Sequence, residues 1–267
     1  MKTSIKYLGW SNIIIPSPNG SLAFDPFYRP MYGADWATLE DFKDVKVICI
    51  SHGHHEHYLD TPNVVKLTNA KVVSSKEVCD HLHSKYNVPK ENLVPVRPHE
   101  EVTVEGFKIT AFSWYHRPIN YLNFFKGNLV TGLTFTLTNL LKAPYDAPYY
   151  GFFVETSDGF RALNFTEGLN PLFPTGEMKE LAKKFNPCVL IGGAQLHYEE
   201  DVARAVKAIS PETFIMYHPH EKLFGSMKLK SSTPETFIKH AKNAVPKVKI
   251  IYPEPMASVT LDFDQEK

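Results

Sequence analysis

Val45-Lys46-Val47-Ile48-Cys49-Ile50-Ser51-His52-Gly53-His54-His55-Glu56-His57 is the stretch that decides how this chain folds. Its first six residues, apolar except for Lys46, read as a buried strand. The strand stops where four of the chain's twelve histidines and one glutamate fall within six positions. A rigid strand ending this way delivers several imidazoles and a carboxylate to one point at a sheet edge. Neutral imidazole nitrogens beside a charged oxygen are the donors that a borderline cation such as zinc takes. His52 and His54 are two apart, and an extended backbone puts them on the same side, where they can share one ion. Glu56 and His57 follow once the chain turns and can reach a second ion. His55, between them, is expected to face solvent.

Before this stretch, residues 5–8, 12–15 and 21–25 read as short strands in a meander, separated by Gly9-Trp10-Ser11 and by Pro16-Ser17-Pro18-Asn19-Gly20. After it, residues 61–67 and 75–86 are expected as helices, the second capped by Ser75, with a short strand over 71–73 between them. Residues 102–112 alternate as one strand running into Ser113-Trp114-Tyr115-His116. A hairpin is expected around Ser157-Asp158-Gly159. Strand and helix then alternate: helix over 177–185, strand over 188–191, helix over 198–209, strand over 213–217, and a capped helix from Thr233-Pro234 to Ala244. Runs of strands followed by strand–helix alternation suit two packed sheets with helices outside, an α/β architecture. With no linker and no fixed-period repeat, residues 1–267 read as a single domain.

Other strand ends add acidic and imidazole groups: His116, Glu167 in Asn164-Phe165-Thr166-Glu167-Gly168, and His218. Glu167 could instead cap a local turn. His218 competes with His220 and is preferred because it comes first past the 213–217 strand.

These residues resemble the signature of the metallo-β-lactamase superfamily: His-x-His-x-Asp-His after a buried strand, then a distant His, a distant Asp and a final His. The order matches at His52, His54, Glu56, His57, His116, Glu167 and His218. Leu22-Ala23-Phe24-Asp25-Pro26, the His57-Tyr58-Leu59-Asp60 continuation and Gly192-Gly193 followed by His197-Tyr198 look like the branch holding ascorbate-phosphate lactonase and N-acylphosphatidylethanolamine phospholipase D. The resemblance implies an αββα sandwich of two mixed sheets. It implies a hydrolase in which a metal-bound hydroxide attacks an ester, lactone or phosphodiester bond. By position, His52, His54 and His116 would hold a first ion and Glu56, His57 and His218 a second, with Glu167 bridging. His197 would assist proton transfer, and Asp25 and Asp60 would orient ligand histidines. Zinc is the expected ion, one or two per chain. Glu56 and Glu167 depart from the family's aspartates, and the added reach, with looser orientation, makes manganese or iron credible. The rivals are an iron-dependent redox enzyme on the same fold and a non-catalytic metal-binding protein.

Between the proposed ligand His116 and Gly151, residues 117–150 carry only Arg117, Lys126, Lys142 and Asp146 as charged side chains. They include Tyr121, Phe124, Phe125, Phe135, Tyr145, Tyr149 and Tyr150, and Leu133, Phe135 and Leu137 alternate with threonines as in a strand. This apolar insert reads as a pocket wall for a small substrate with an apolar or lipid-like part, or as a homo-oligomer interface or ordinary core. Lys+Arg and Asp+Glu both total 29, so no basic excess points to nucleic acid. Three separated cysteines, no apolar run of spanning length and no signal-like start suggest a cytoplasmic protein with free thiols.

Overall fold

The computed structural model describes residues 1–30, 33–117, 126–144 and 146–263. The meander forms β1 (Lys2–Gly9), β2 (Asn12–Ser17) and β3 (Gly20–Phe24), and the histidine-bearing strand is β4 (Val45–Cys49). A single turn, α1 (His55–Tyr58), leads into α2 (Thr61–Thr68), β5 (Lys71–Ser74), α3 (Lys76–Tyr86) and β6 (Leu93–Pro95). Ser75 caps α3 by accepting the Val78 N–H. The strand expected over 102–112 is instead a hairpin, β7 (Glu101–Val104) and β8 (Phe107–Ser113). Glu105 and Gly106 between them both have positive φ, a tight turn that alternation alone does not disclose.

The second half comprises α4 (Leu129–Lys142), β9 (Tyr150–Glu155), β10 (Arg161–Asn164), α5 (Thr175–Phe185), β11 (Val189–Gly193) and α6 (Glu199–Ile209). It closes with β12 (Thr213–Tyr217), α7 (Glu221–Ser226), α8 (Pro234–Ala244), β13 (Lys249–Ile251) and β14 (Ser258–Asp262). The stretch expected as a strand around Leu133, Phe135 and Leu137 lies within α4. Asn128 caps it, its side-chain oxygen accepting the Val130 and Thr131 N–H groups, and this start signal outweighs the leucine–threonine alternation. Tyr121, Phe124, Phe125 and Tyr145 fall outside the described residues.

Two seven-stranded mixed sheets result, in the orders β14-β1-β2-β3-β4-β5-β6 and β13-β12-β11-β10-β9-β8-β7. In each, an antiparallel half continues into a parallel one, from β3 through β6 and from β10 through β13. The sheets meet through Tyr7, Ile13, Phe24, Val47 and Cys49 on one side and Ile109, Phe152, Ala162, Ile191 and Ile215 on the other. Burying each large apolar side chain in this layer contributes about 1.5–3 kcal/mol. Val64, Val65, Val78 and Leu82 seat α2 and α3 on the outside of the first sheet. Met178, Leu181, Val202, Val206, Phe237 and Ala241 seat α5, α6 and α8 on the second. The expected sandwich is therefore present, with helices outside both sheets. No helix among the described residues is long and apolar enough to cross a membrane. All three cysteines are free, and burial pushes the Cys49 thiol well above its ordinary range.

Candidate metal centre

The centre is assembled around the carboxylate of Glu167, which is almost fully buried just past β10. Its Oε1 lies 2.9 Å from His57 Nε2, 3.3 Å from His220 Nε2 and 3.9 Å from His52 Nε2. Its Oε2 faces His116 Nε2 at 3.4 Å but makes no hydrogen bond. Two sets of donor atoms each lie within 4.8 Å of one another: His52, His54, His116 and Glu167, and Glu56, His57 and Glu167. Glu167 belongs to both sets.

Glycine makes this placement possible. Gly168 has φ +125°, and a Cβ there would sit 1.9 Å from the Gly193 carbonyl oxygen. A Cβ on Gly193 would sit 2.2 Å from the carbonyl oxygen of Glu167. Only two bare backbones can pass this closely, and they press the Glu167 loop against the end of β11.

The outer partners fix which imidazole nitrogens are bare. Asp25 accepts the Ser51 N–H and the Ser51 hydroxyl, both at 2.8 Å. Having given its proton away, Ser51 Oγ can only accept from His52 Nδ1, 2.9 Å away. His57 Nδ1 lies 2.9 Å from Asp25, and His116 Nδ1 donates to the Arg117 carbonyl at 2.7 Å. The Gln195 amide N–H donates to the Glu167 carbonyl at 3.1 Å, which turns its Oε1 towards His220 Nδ1 at 3.3 Å. Four histidines thus spend Nδ1–H on outer acceptors and turn Nε2 towards one carboxylate. Such outer acceptors orient metal-ligating histidines. The fifth, His54, presents Nδ1, 2.9 Å from His52 Nε2.

Burial holds the His52 pKa well below its ordinary value and brings that of His54 down to about 4, so both imidazoles are neutral at physiological pH. Burial opposes charge on His57 too, but Asp25 and then Glu167 outweigh it and raise its pKa. Burial likewise disfavours the Glu167 carboxylate, yet His220 and His116 hold it ionised. A buried carboxylate oxygen without a hydrogen bond, beside the Nε2 atoms of His52, His116 and His220 whose protons are directed outward, is a donor set that fits a divalent cation, and a cation would displace the proton that His57 Nε2 now shares with Glu167.

The structure brings His52, His54, Glu56, His57, His116 and Glu167 together. It does not bring in His218. Along β12, Ile215 and Tyr217 face the other sheet while Phe214 and Met216 face the helices, so His218 continues the helix-facing series. Its Nδ1 accepts the His220 N–H and its Nε2 lies 2.9 Å from Ser231 Oγ. His220, released from strand alternation by Pro219, takes the place expected of His218. The edge of Trp10 and the stacked ring of Phe224 hold it, with ring centroids 4.9 and 5.4 Å away.

His197 is exposed and paired with Ser232 Oγ at 3.0 Å, away from the gathered groups. Asp60 accepts the Tyr28 N–H and pairs with Arg29 at 2.6 Å, and no contact with a ligand histidine is seen for it among the described residues. His55 is buried rather than solvent-facing. Its Nδ1 lies 3.1 Å from Glu56 Oε2, which also receives the Asn139 amide at 3.4 Å, while Asn139 Oδ1 accepts the His55 N–H at 3.0 Å. The longer Glu56 side chain is therefore tethered, against the expectation of looser orientation. Sequence reasoning missed Gln195, Asn139 and Ser51. Only Ser51, next to His52, had a positional signal.

A family profile described as the beta-lactamase superfamily domain matches residues 16–162. A metal-dependent hydrolase of Rubrobacter xylanophilus is 25% identical over 247 residues, covering 90% of this chain and 89% of its own length. Among solved structures, Igni18, a metallo hydrolase of Ignicoccus hospitalis, superposes with a TM-score of 0.72 at 19% identity, covering 99% of this chain and 100% of that one. CmlA, a diiron β-hydroxylase of Streptomyces venezuelae, gives 0.61 at 13% identity over 98% of this chain and 54% of its own. These two likenesses establish the shared fold.

Proposed function

The chain belongs to the β-lactamase superfamily and is a metal-dependent hydrolase; from that premise we propose that it cleaves an ester, lactone or phosphodiester bond in a small substrate with an apolar portion. The observation that carries the reading is the outward use of Nδ1–H by His52, His116 and His220, which leaves three Nε2 lone pairs converging on Glu167, where His57 would add a fourth by exchanging its Nε2 proton for a bound ion. His52, His54 and His116 would hold one ion, and Glu56, His57 and His220 a second, with Glu167 between them. Bound divalent cations, with zinc the expected ion and manganese or iron alternatives, would supply an acidified water and polarise the scissile group.

The chain's own residues do the rest. Asp25, Ser51 and Gln195 hold the imidazoles in one tautomer. Glu56 keeps Oε2 on His55 and Asn139 and leaves Oε1, 3.9 Å from His54 Nδ1, as the oxygen that would serve the second ion. Tyr149, with its ring 5.1 Å from those of His52 and His116, and Trp114, 5.8 Å from His52, form an aromatic wall that would exclude water and favour an apolar group.

The test is elemental analysis of protein purified without added metal. It is paired with hydrolysis of p-nitrophenyl esters, lactones and bis(p-nitrophenyl) phosphate before and after chelation. Hydrolysis lost on chelation and restored by zinc or manganese is expected. Bound iron with a visible absorption band and oxygen uptake, without hydrolysis, would overturn the reading in favour of redox chemistry.

A further inference from the structure

Helix α4 has two unlike faces. Gly132 and Phe135 are buried, Phe135 lies with its ring 5.0 Å from that of His55, and Asn139 reaches Glu56. The opposite side carries Leu129, Leu133, Leu137, Leu140 and Leu141, spaced 4, 4, 3 and 1 apart, with Val130 alongside. That spacing lines them along one face of a helix. Their exposure runs from 42% at Leu137 to 78% at Leu141. Six of the nine large apolar side chains exposed among the described residues stand on these 14 positions. Together they give one side of α4 an exposed apolar face, the kind of surface that marks an interaction site.

We propose that this face seats the protein on an anionic phospholipid surface. The charges around it select this occupant. Lys126 precedes α4 and Lys142 ends it, and between Arg117 and Asp146 the sequence has no carboxylate. At the start of the helix, Asn128 donates to the Ser226 carbonyl, and Gly127 passes against Met227, which brings the exposed Lys228 to the same end. Glu221 and Asp146 are the exposed acidic groups nearest in sequence to these elements, against a chain with no net charge. A second copy packed about a two-fold axis would set the three lysines of each copy against one another with only Glu221 and Asp146 to offset them. A phosphatidylglycerol-bearing surface meets the same lysines with opposite charge and accepts the leucines below its headgroups. The inference stands independently of which bond the centre cleaves.

Vesicle co-sedimentation of the full chain tests it, comparing pure phosphatidylcholine with phosphatidylcholine containing about a quarter phosphatidylglycerol. Partition to the anionic vesicles should be about tenfold stronger and should weaken with salt. Leu133→Asp with Leu137→Asp should lower it about tenfold, and Lys126→Gln with Lys142→Gln several-fold. Circular dichroism and metal content, unchanged in the variants, would confirm that the fold is intact. Leu141→Asp, at the most exposed position, supplies the same reading if the double variant does not fold. Failure to bind either vesicle, or binding indifferent to the leucine variants, would overturn the proposal. So would a dimer in sedimentation velocity that Leu133→Asp with Leu137→Asp converts to monomer, since a second copy would then own the face.

Discussion

The first sheet supplies its share of the centre from a single strand end, with His52, His54, Glu56 and His57 all following β4 within six residues. The second sheet spreads its share over four strand ends: His116 after β8, Glu167 after β10, Gln195 after β11 and His220 after β12. In the first case one backbone segment fixes the mutual geometry. In the second it depends on the parallel register of β10, β11 and β12, which brings residues far apart in sequence to one edge. The compact set is tuned by its neighbours in sequence, and the dispersed set by how closely strands and loops approach.

Glu167→Gln should have the largest effect, because one side chain serves both donor sets. We expect kcat/KM to fall roughly a thousandfold and both ions to be lost, whereas His54→Ala should chiefly empty one site. Equal metal contents in the two variants would erase the distinction between a shared and a local ligand. Next, His220→Ala should weaken metal binding by about 10–100-fold, while His218→Ala should change it less than about threefold. Titration with a competing chelator measures both, and the reverse order would return the role to His218.

Gly168→Ala probes the close approach itself. Strain at positive φ together with the clash against Gly193 should cost about 2–3 kcal/mol in urea unfolding and leave Glu167 misplaced. A variant as stable as the parent would mean that the loop has room to move. The smallest expected change is Asn139→Ala, which removes one tether of Glu56 and should lower metal affinity by about tenfold at most. If hydrolysis of p-nitrophenyl esters also falls in proportion at saturating metal, Asn139 acts on substrate rather than through Glu56.

The same contrast governs what could be read from the sequence. The 45–57 stretch announces both its strand and its ligands because periodicity and residue type agree within a few positions. Glu167 was legible through its place after an apolar run, yet its dependence on Gly168 and Gly193 was not, since their contact joins separate strands. His218 was favoured over His220 by proximity to β12. The alternation of that strand, with Tyr217 facing the other sheet, argued the other way, and Pro219 hid the turn that brings His220 inward. Helix α4 was missed because interleaved threonines mimic a strand, while the Asn128 cap that starts it is one residue in an unpatterned loop. Gln195 carried no signal, because an amide acquires its role only once Glu167 and His220 stand on either side.

The pairing of β14 with β1 joins Lys2 to Asp262 and Lys6 to Ser258. While a ribosome makes the chain, the outer edge of β1 must wait until β14, far along the sequence, has been made before it finds its neighbour. A strand edge left open that long can recruit other nascent chains. Productive folding of this protein is therefore a race between the synthesis of β14 and edge-to-edge association, and slowed translation ahead of β14 would tilt it towards aggregates.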